Sequence, residues 1–123
     1  MKIVIADDNR DSADSMAMLL EAGGHEVHVA YDGLEAVNTA NKVRPDVILL
    51  DIGMPKMNGF ECARSIRAES WAAGALLIAL TGWGQEEDKR RALEAGFDRH
   101  LTKPVDPATL EAVLQVPPAS PAA

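Results

Sequence analysis

A single cysteine, Cys62, is present among the 123 residues. No disulfide can form within the chain, and its helical spacing beside Phe60 and Ile66 marks a small core residue rather than a nucleophile. Aromatic residues make up only 4% and do not interleave with basic ones, so the stacking platform required by single-stranded nucleic acid is missing. Basic side chains are scarce as well, 12 Lys and Arg against 19 Asp and Glu, for a net charge of −7. Phosphate backbones are held by clustered Lys and Arg, which argues against direct nucleic-acid binding. No apolar run approaches the roughly 18 residues of a membrane span, and Met1-Lys2 leads straight into a strand pattern rather than a signal-peptide core, which predicts a cytoplasmic product. With 47% apolar and 25% charged residues, the chain has the composition of one folded domain, and its length leaves no room for a second.

What is present alternates between strands and amphipathic helices. Ile3 to Ala6 reads as a buried strand, followed at helical spacing by Ala13, Met16, Ala17 and Leu20 and stopped by Gly23-Gly24. Glu26 to Ala30 alternates as a half-exposed strand, and Ala36, Val37 and Ala40 mark a second helix that closes before Pro45. Val47 to Leu50 is a third strand, and Gly59 opens a helix carrying Phe60, Ala63 and Ile66. Ala75 to Leu80 is a long apolar strand ending in Thr81; a helix is expected from about Gln85 to Ala95, with Gly96 as its stop. A short strand around Asp98 to Leu101 and a last helix carrying Leu110, Val113 and Leu114 complete the pattern. Five such units predict an α/β fold, an open parallel sheet with helices on both faces. The first, third and fourth strands are continuously apolar and so central. The second and fifth are edge-like, which favours the flavodoxin-like order 2-1-3-4-5.

In that order the strand ends carry chemistry. Asp7 and Asp8 follow the first strand and Asp51 ends the third, at the carboxyl edge where open α/β sheets bind ligands. Carboxylates about 5 Å apart repel by roughly 3 kcal/mol per pair at an effective dielectric near 20, so the cluster needs a cation or a shared proton. Mg²⁺ suits carboxylates, a carbonyl and waters, whereas zinc would want grouped His or Cys. His25 and His28 are not so grouped and read as solvated or packing residues. Thr81 and Lys103 leave the sheet at the same edge. A hydroxyl, an ammonium and a metal around one carboxylate form a cradle for a phosphoryl group, with Asp51 attacking, Lys103 neutralising oxygens and Thr81 donating a hydrogen bond. A cis peptide at Lys103-Pro104 would give the lysine its direction.

These residues resemble the receiver domains of two-component response regulators. The resemblance covers residues 1–116 and rests on Asp7-Asp8, on the block from Asp51 to Gly59, on Thr81-Gly82 and on Lys103-Pro104, in family order and spacing. It implies that Asp51 accepts a phosphoryl group from a histidine kinase phosphohistidine, with Mg²⁺ held by Asp8, Asp51 and the Gly53 carbonyl, and Asp7 assisting through water. It also implies that Lys103 pairs with Asp51 and then with the phosphoryl group, and that Thr81 moves toward that group on activation. The face of the fourth helix, fifth strand and fifth helix would rearrange, so that the domain works as a two-state switch or phosphorelay intermediate.

Two positions depart from the commonest family pattern. His100 stands three residues before Lys103, where many receivers carry Tyr or Phe, and is a candidate switch residue beside Thr81. Trp83 stands two residues after Thr81 and, with Gly53 and Gly82, occupies a position bearing on access to the phosphoaspartate. The Pro/Ala-rich segment 117–123 is expected to be a tail or linker stub, similar to the ends of terminal receivers in hybrid histidine kinases. The partner implied is a histidine kinase or histidine phosphotransfer protein, and no turnover is expected beyond the domain's own phosphorylation and dephosphorylation. A haloacid dehalogenase-type phosphatase would want a second Asp two residues after its nucleophile, where this chain has Gly53. A module that is never phosphorylated is disfavoured by the complete set Asp8, Asp51, Thr81 and Lys103.

Overall fold

Five strands and five helices alternate along the chain in a computed structural model that describes residues 1–54, 56–82, 86–103 and 105–114, with backbone alone at 86–89. They are β1 (Lys2–Ala6), α1 (Arg10–Ala22), β2 (Glu26–Ala30), α2 (Gly33–Val43), β3 (Val47–Asp51), α3 (Gly59–Arg67), β4 (Leu76–Thr81), α4 (Glu86–Ala95), β5 (Arg99–Thr102) and α5 (Pro107–Leu114). The strands form one sheet in the order β2-β1-β3-β4-β5, every pair parallel. This is the flavodoxin-like order expected from the apolar runs, and β3 and β4 are buried throughout while β2 and β5 carry exposed positions.

The two faces of the sheet follow the two-residue period of a strand. Ile3, Ile5, Val47, Leu49, Ile78 and Leu80 pack with Ala13, Ala17 and Leu20 of α1 and with Leu110 and Leu114 of α5. The alternate residues Val4, Ala6, Ile48, Leu50, Leu77 and Ala79 pack against α2, α3 and α4. Buried on both sides, the three central strands must be apolar along their length. Continuing the alternation past Ile5 and Leu49 turns Asp7 and Asp51 toward the α1 and α5 side.

The starts of α1, α2, α3 and α5 at the carboxyl edge are each secured by a polar cap. Asn9, Asp32 and Asn58 accept the backbone N–H of Ser12, Glu35 and Glu61, and Glu61 returns the bond to Asn58 N–H in a capping box. Asp106 does the same for Thr109 at the start of α5. Two glycines permit close approach there. A Cβ on Gly33 would lie 1.6 Å from the Met57 carbonyl oxygen, and one on Gly59 2.6 Å from the Ile52 Cα. The loop after β3 is thereby held tightly between α2 and α3.

One element was not legible in the sequence. A 3₁₀ turn, Ser70–Gly74, precedes β4 and is closed by Ala75 N–H donating to Ala72, so β4 begins at Leu76 rather than Ala75. A short Ala-rich segment has no periodicity to betray such a turn. β5 likewise begins at Arg99, because the Asp98 carboxylate leaves the strand pattern to accept the Leu77 N–H. Gln85, Pro104 and the 117–123 tail lie outside the described residues.

Candidate functional site

Asp7, Asp8 and Asp51 converge so that one carboxylate oxygen of each lies within 4.8 Å of the others. Their placement follows from the β1–β3 pairing, which sets Ala6 opposite Leu50 and so brings the two strand ends together. Asp7 is 2% exposed and Asp51 9%, while Asp8 faces solvent. Each buried acid receives a backbone N–H two residues on, Asn9 to Asp7 at 3.0 Å and Gly53 to Asp51 at 3.0 Å.

The Lys103 ammonium lies between the two buried acids, with Nζ 2.8 Å from Asp7 Oδ2 and 3.0 Å from Asp51 Oδ2. The family resemblance implied a pairing with Asp51; the second partner, Asp7, becomes evident only in three dimensions. Lys103 is itself positioned by its backbone N–H, which donates to the Thr81 carbonyl at 2.7 Å. The cation required by the repulsive cluster is therefore in part a residue of the chain.

Burial raises the proton affinity of both acids, and the outcome differs between them. At Asp51 burial is the largest single influence, but the Gly53 N–H and the Lys103 ammonium together outweigh it and hold the carboxyl below its ordinary range. At Asp7 burial prevails over the Lys103 and Asn9 bonds, with the Asp51 charge adding to it, and the carboxyl is pushed up. Burial disfavours the Lys103 charge most strongly as a single influence, yet its bonds to Asp7 and Asp51 overcome that and push the ammonium up. An ionised Asp51 beside a protonated lysine is the state in which a carboxylate can attack an electrophile.

Thr81 ends β4, one residue beyond the Asp51–Leu80 pair. It is fully buried, and its hydroxyl has no hydrogen-bond partner among the described residues. A buried polar atom left unsatisfied costs free energy, and such atoms mark sites where a missing group completes the bonding. The oxygen-only donor set of three acids suits a hard divalent cation such as Mg²⁺.

The remaining expected positions separate. Gly53 is exposed, and a Cβ added there would stand 3.7 Å from Asp51 Oδ1, so any side chain at this position would abut the acid. Gly82 is exposed, and an added Cβ would meet no atom within 4 Å. Trp83 lies outside the described residues. His100 is exposed on β5 opposite Ala79 and is not gathered into the cluster. His28 pairs with Glu26 at 2.7 Å and His25 Nδ1 lies 3.1 Å from the Met1 amino group, both away from the acids. Cys62 is buried, with Sγ directed at the Gly33 carbonyl at 3.3 Å, and burial pushes the thiol up to about 12. A groove of about 520 Å³ between α1 and α5 opens beside Asp7 and Lys103, walled by Met16, Leu19, Val105 and Leu110. No described helix is long and apolar enough to cross a membrane.

Comparison with known proteins agrees with this geometry. The family model of the response regulator receiver domain matches residues 3–115. Protein PilH of Pseudomonas aeruginosa is 37% identical over 109 residues, covering 89% of this chain and 90% of that protein. The structure of chemotaxis protein CheY4 of Vibrio cholerae superposes with a TM-score of 0.88 at 35% identity, covering 93% of this chain and 95% of that one. The receiver domain of the sensor histidine kinase PA1611 of Pseudomonas aeruginosa superposes with a TM-score of 0.85 at 32% identity, covering 93% of both chains, and carries a magnesium ion coordinated in its active-site cleft. With this fold, and with an acidic cluster fitted to phosphorylation and Mg²⁺ binding, the chain belongs to the response regulator receiver domain family.

Proposed function

We propose that Asp51 accepts a phosphoryl group from the phosphohistidine of a histidine kinase or histidine phosphotransfer protein. The observation that carries this reading is the pairing of an ionised Asp51 with Lys103 at 3.0 Å beside a buried Thr81 hydroxyl that has no partner among the described residues. In the reaction an Asp51 carboxylate oxygen attacks phosphorus, the O–P bond forms, the N–P bond breaks, and the electron pair leaves with the donor imidazole. Lys103 neutralises charge on the transferred oxygens, and the Thr81 hydroxyl donates to one of them. Asp8, Asp51 and the Gly53 carbonyl are the groups that would hold Mg²⁺, with Asp7 acting through water. When bound, the ion supplies charge neutralisation to the phosphoryl oxygens.

Residues 1–116 act in this reading as one receiver unit, and 117–123 as a tail. Thr81, with His100 as a second candidate, would carry the change outward to the face of α4, β5 and α5; Gly53, Gly82 and Trp83 would govern access of water to the phosphoaspartate. Activity is confined to the domain's own phosphorylation and dephosphorylation, in the cytoplasm, and the readout is a change of protein partner. Both a stand-alone phosphorelay intermediate and the terminal receiver of a hybrid kinase fit this chemistry.

The test is incubation with Mg²⁺ and either acetyl phosphate or beryllofluoride, with Asp51→Asn alongside. The wild type should gain an acid-stable, base-labile phosphate or a fluoride adduct, and Asp51→Asn should gain neither. A wild type that acquires no modification defeats the proposal.

A further inference from the structure

We infer that Tyr31 holds Arg10 off the acidic cluster, which leaves the charge of Asp7, Asp8 and Asp51 to a divalent cation. This role deepens the receiver reading and rests on it. Arg10 follows Asp8 by two residues and opens α1, with Asn9 as the cap. A cation at that position opposes the helix dipole, whose N-terminal end favours negative charge. Compensation is close at hand in the sequence, since an arginine side chain is long enough to turn back on Asp8, and the repulsion among the three acids favours such a turn. The chain places Arg10 elsewhere. The cation paired with Asp7 and Asp51 is Lys103, whereas Arg10 Cζ stands over the Tyr31 ring, 4.0 Å from its centroid.

The ring is itself fixed. Tyr31 follows β2, whose last residue, Ala30, lies opposite Ala6 and accepts the Asp7 N–H at 3.1 Å, so Tyr31 leaves the sheet beside the β1–α1 loop. Its hydroxyl donates to Asp14 Oδ1 at 2.7 Å, one turn past Arg10 on α1. That bond holds the phenol proton and pushes Tyr31 above its ordinary value, so the face under the guanidinium stays that of a neutral ring. It also engages the acid four residues after Arg10, the one that a helical cation would otherwise meet. Arg10 is exposed, and a cation–π contact in water is weak; what this one decides is the direction of a charge. An internal cation and a divalent ion compete for the same carboxylates, and a site that an arginine occupies part of the time binds the ion more weakly in proportion.

Calorimetric titration of Mg²⁺ into the wild type, Tyr31→Leu, Arg10→Gln and the double variant, at one ionic strength, tests this. Tyr31→Leu should bind Mg²⁺ about fivefold or more weakly, because the freed arginine shares the acids. Arg10→Gln should stay within about twofold of the wild type, and adding it to Tyr31→Leu should restore the affinity to that level. A ring that merely supported the loop carrying Asp8 would weaken binding whether or not Arg10 is present. A double variant as weak as Tyr31→Leu, or a Tyr31→Leu protein that binds like the wild type, would therefore overturn this role for Tyr31. A wild type that takes up no Mg²⁺ counts against the receiver reading, and proton NMR in EDTA then decides the placement of Arg10. Its Nε proton should be shifted upfield by the Tyr31 ring in the wild type; in Tyr31→Leu it should lose that shift and show contacts with Asp8. An unshifted wild-type signal, or a freed Arg10 that turns to Asp14, would overturn the placement.

Discussion

Lys103 and Asp7 form the shorter of the two ion pairs in the acidic cleft, 2.8 Å between Nζ and Oδ2, against 3.0 Å for Lys103 and Asp51. The lysine thus stabilises the cluster as well as facing Asp51. Lys103→Met should leave two largely buried acids opposed, costing about 2 kcal/mol in urea denaturation with EDTA, less than a fully buried pair because the lysine is partly exposed. Mg²⁺ should recover part of that loss, and phosphorylation by acetyl phosphate should fall by about 10² or more.

Thr81→Val should separate fold from function. It replaces a buried hydroxyl that has no partner among the described residues with a methyl group of similar size, so the free protein should gain about 1 kcal/mol and melt a few degrees higher. The stabilisation conferred by beryllofluoride should shrink, because the hydroxyl that would meet the bound group is gone. Thermal melts with and without beryllofluoride measure both effects.

Asp7→Asn should stabilise the metal-free protein at neutral pH. Burial raises the Asp7 carboxyl in the folded state, so between the ordinary carboxylate range and that raised value the native state holds more protons than the unfolded one, and stability falls as pH rises. The asparagine escapes that loss. Urea titrations in EDTA should show the advantage over wild type at pH 7 and its disappearance as the pH drops below the ordinary carboxylate value.

Cys62 should resist alkylation at pH 8 in the native protein and react promptly in denaturant. Its thiol is buried and pushed up to about 12, so almost no thiolate is present to attack. Mass spectrometry after iodoacetamide treatment reads the difference. Rapid native labelling would contradict the packing around Gly33.

Gly33→Ala should destabilise the fold by about 3 kcal/mol or more, since the new methyl cannot share space with the Met57 carbonyl 1.6 Å away. Gly74→Ala, with no atom within 4 Å of the added carbon, should stay within about 0.5 kcal/mol of wild type. Chemical denaturation of the pair checks the contrast.

The central strands were legible because a strand covered on both faces must be apolar throughout, as Val47–Leu50 and Leu76–Leu80 are. The acids were legible for the opposite reason, a charge at the end of an apolar run being costly unless it has work there. The 3₁₀ turn at Ser70–Gly74 and the bonds from Arg67 to the Ala72 and Ala75 carbonyls were not, since both depend on carbonyls whose positions are set by other segments. His100 remained open in the sequence, and the fold leaves it exposed on an edge strand.

Residue order alone determined the five strand and helix units, their parallel arrangement and the meeting of Asp7, Asp8, Asp51, Thr81 and Lys103 at one edge, because hydrophobic period and strand ends are local properties of the chain. Only the tertiary structure decided how charge is shared there. Burial acts on both Asp7 and Asp51, but the Gly53 N–H and Lys103 together reverse it at Asp51 alone. The direction in which each acid's proton affinity moves depends on the depth of its carboxylate and on donors arriving from distant segments, and neither is written in the spacing of residues.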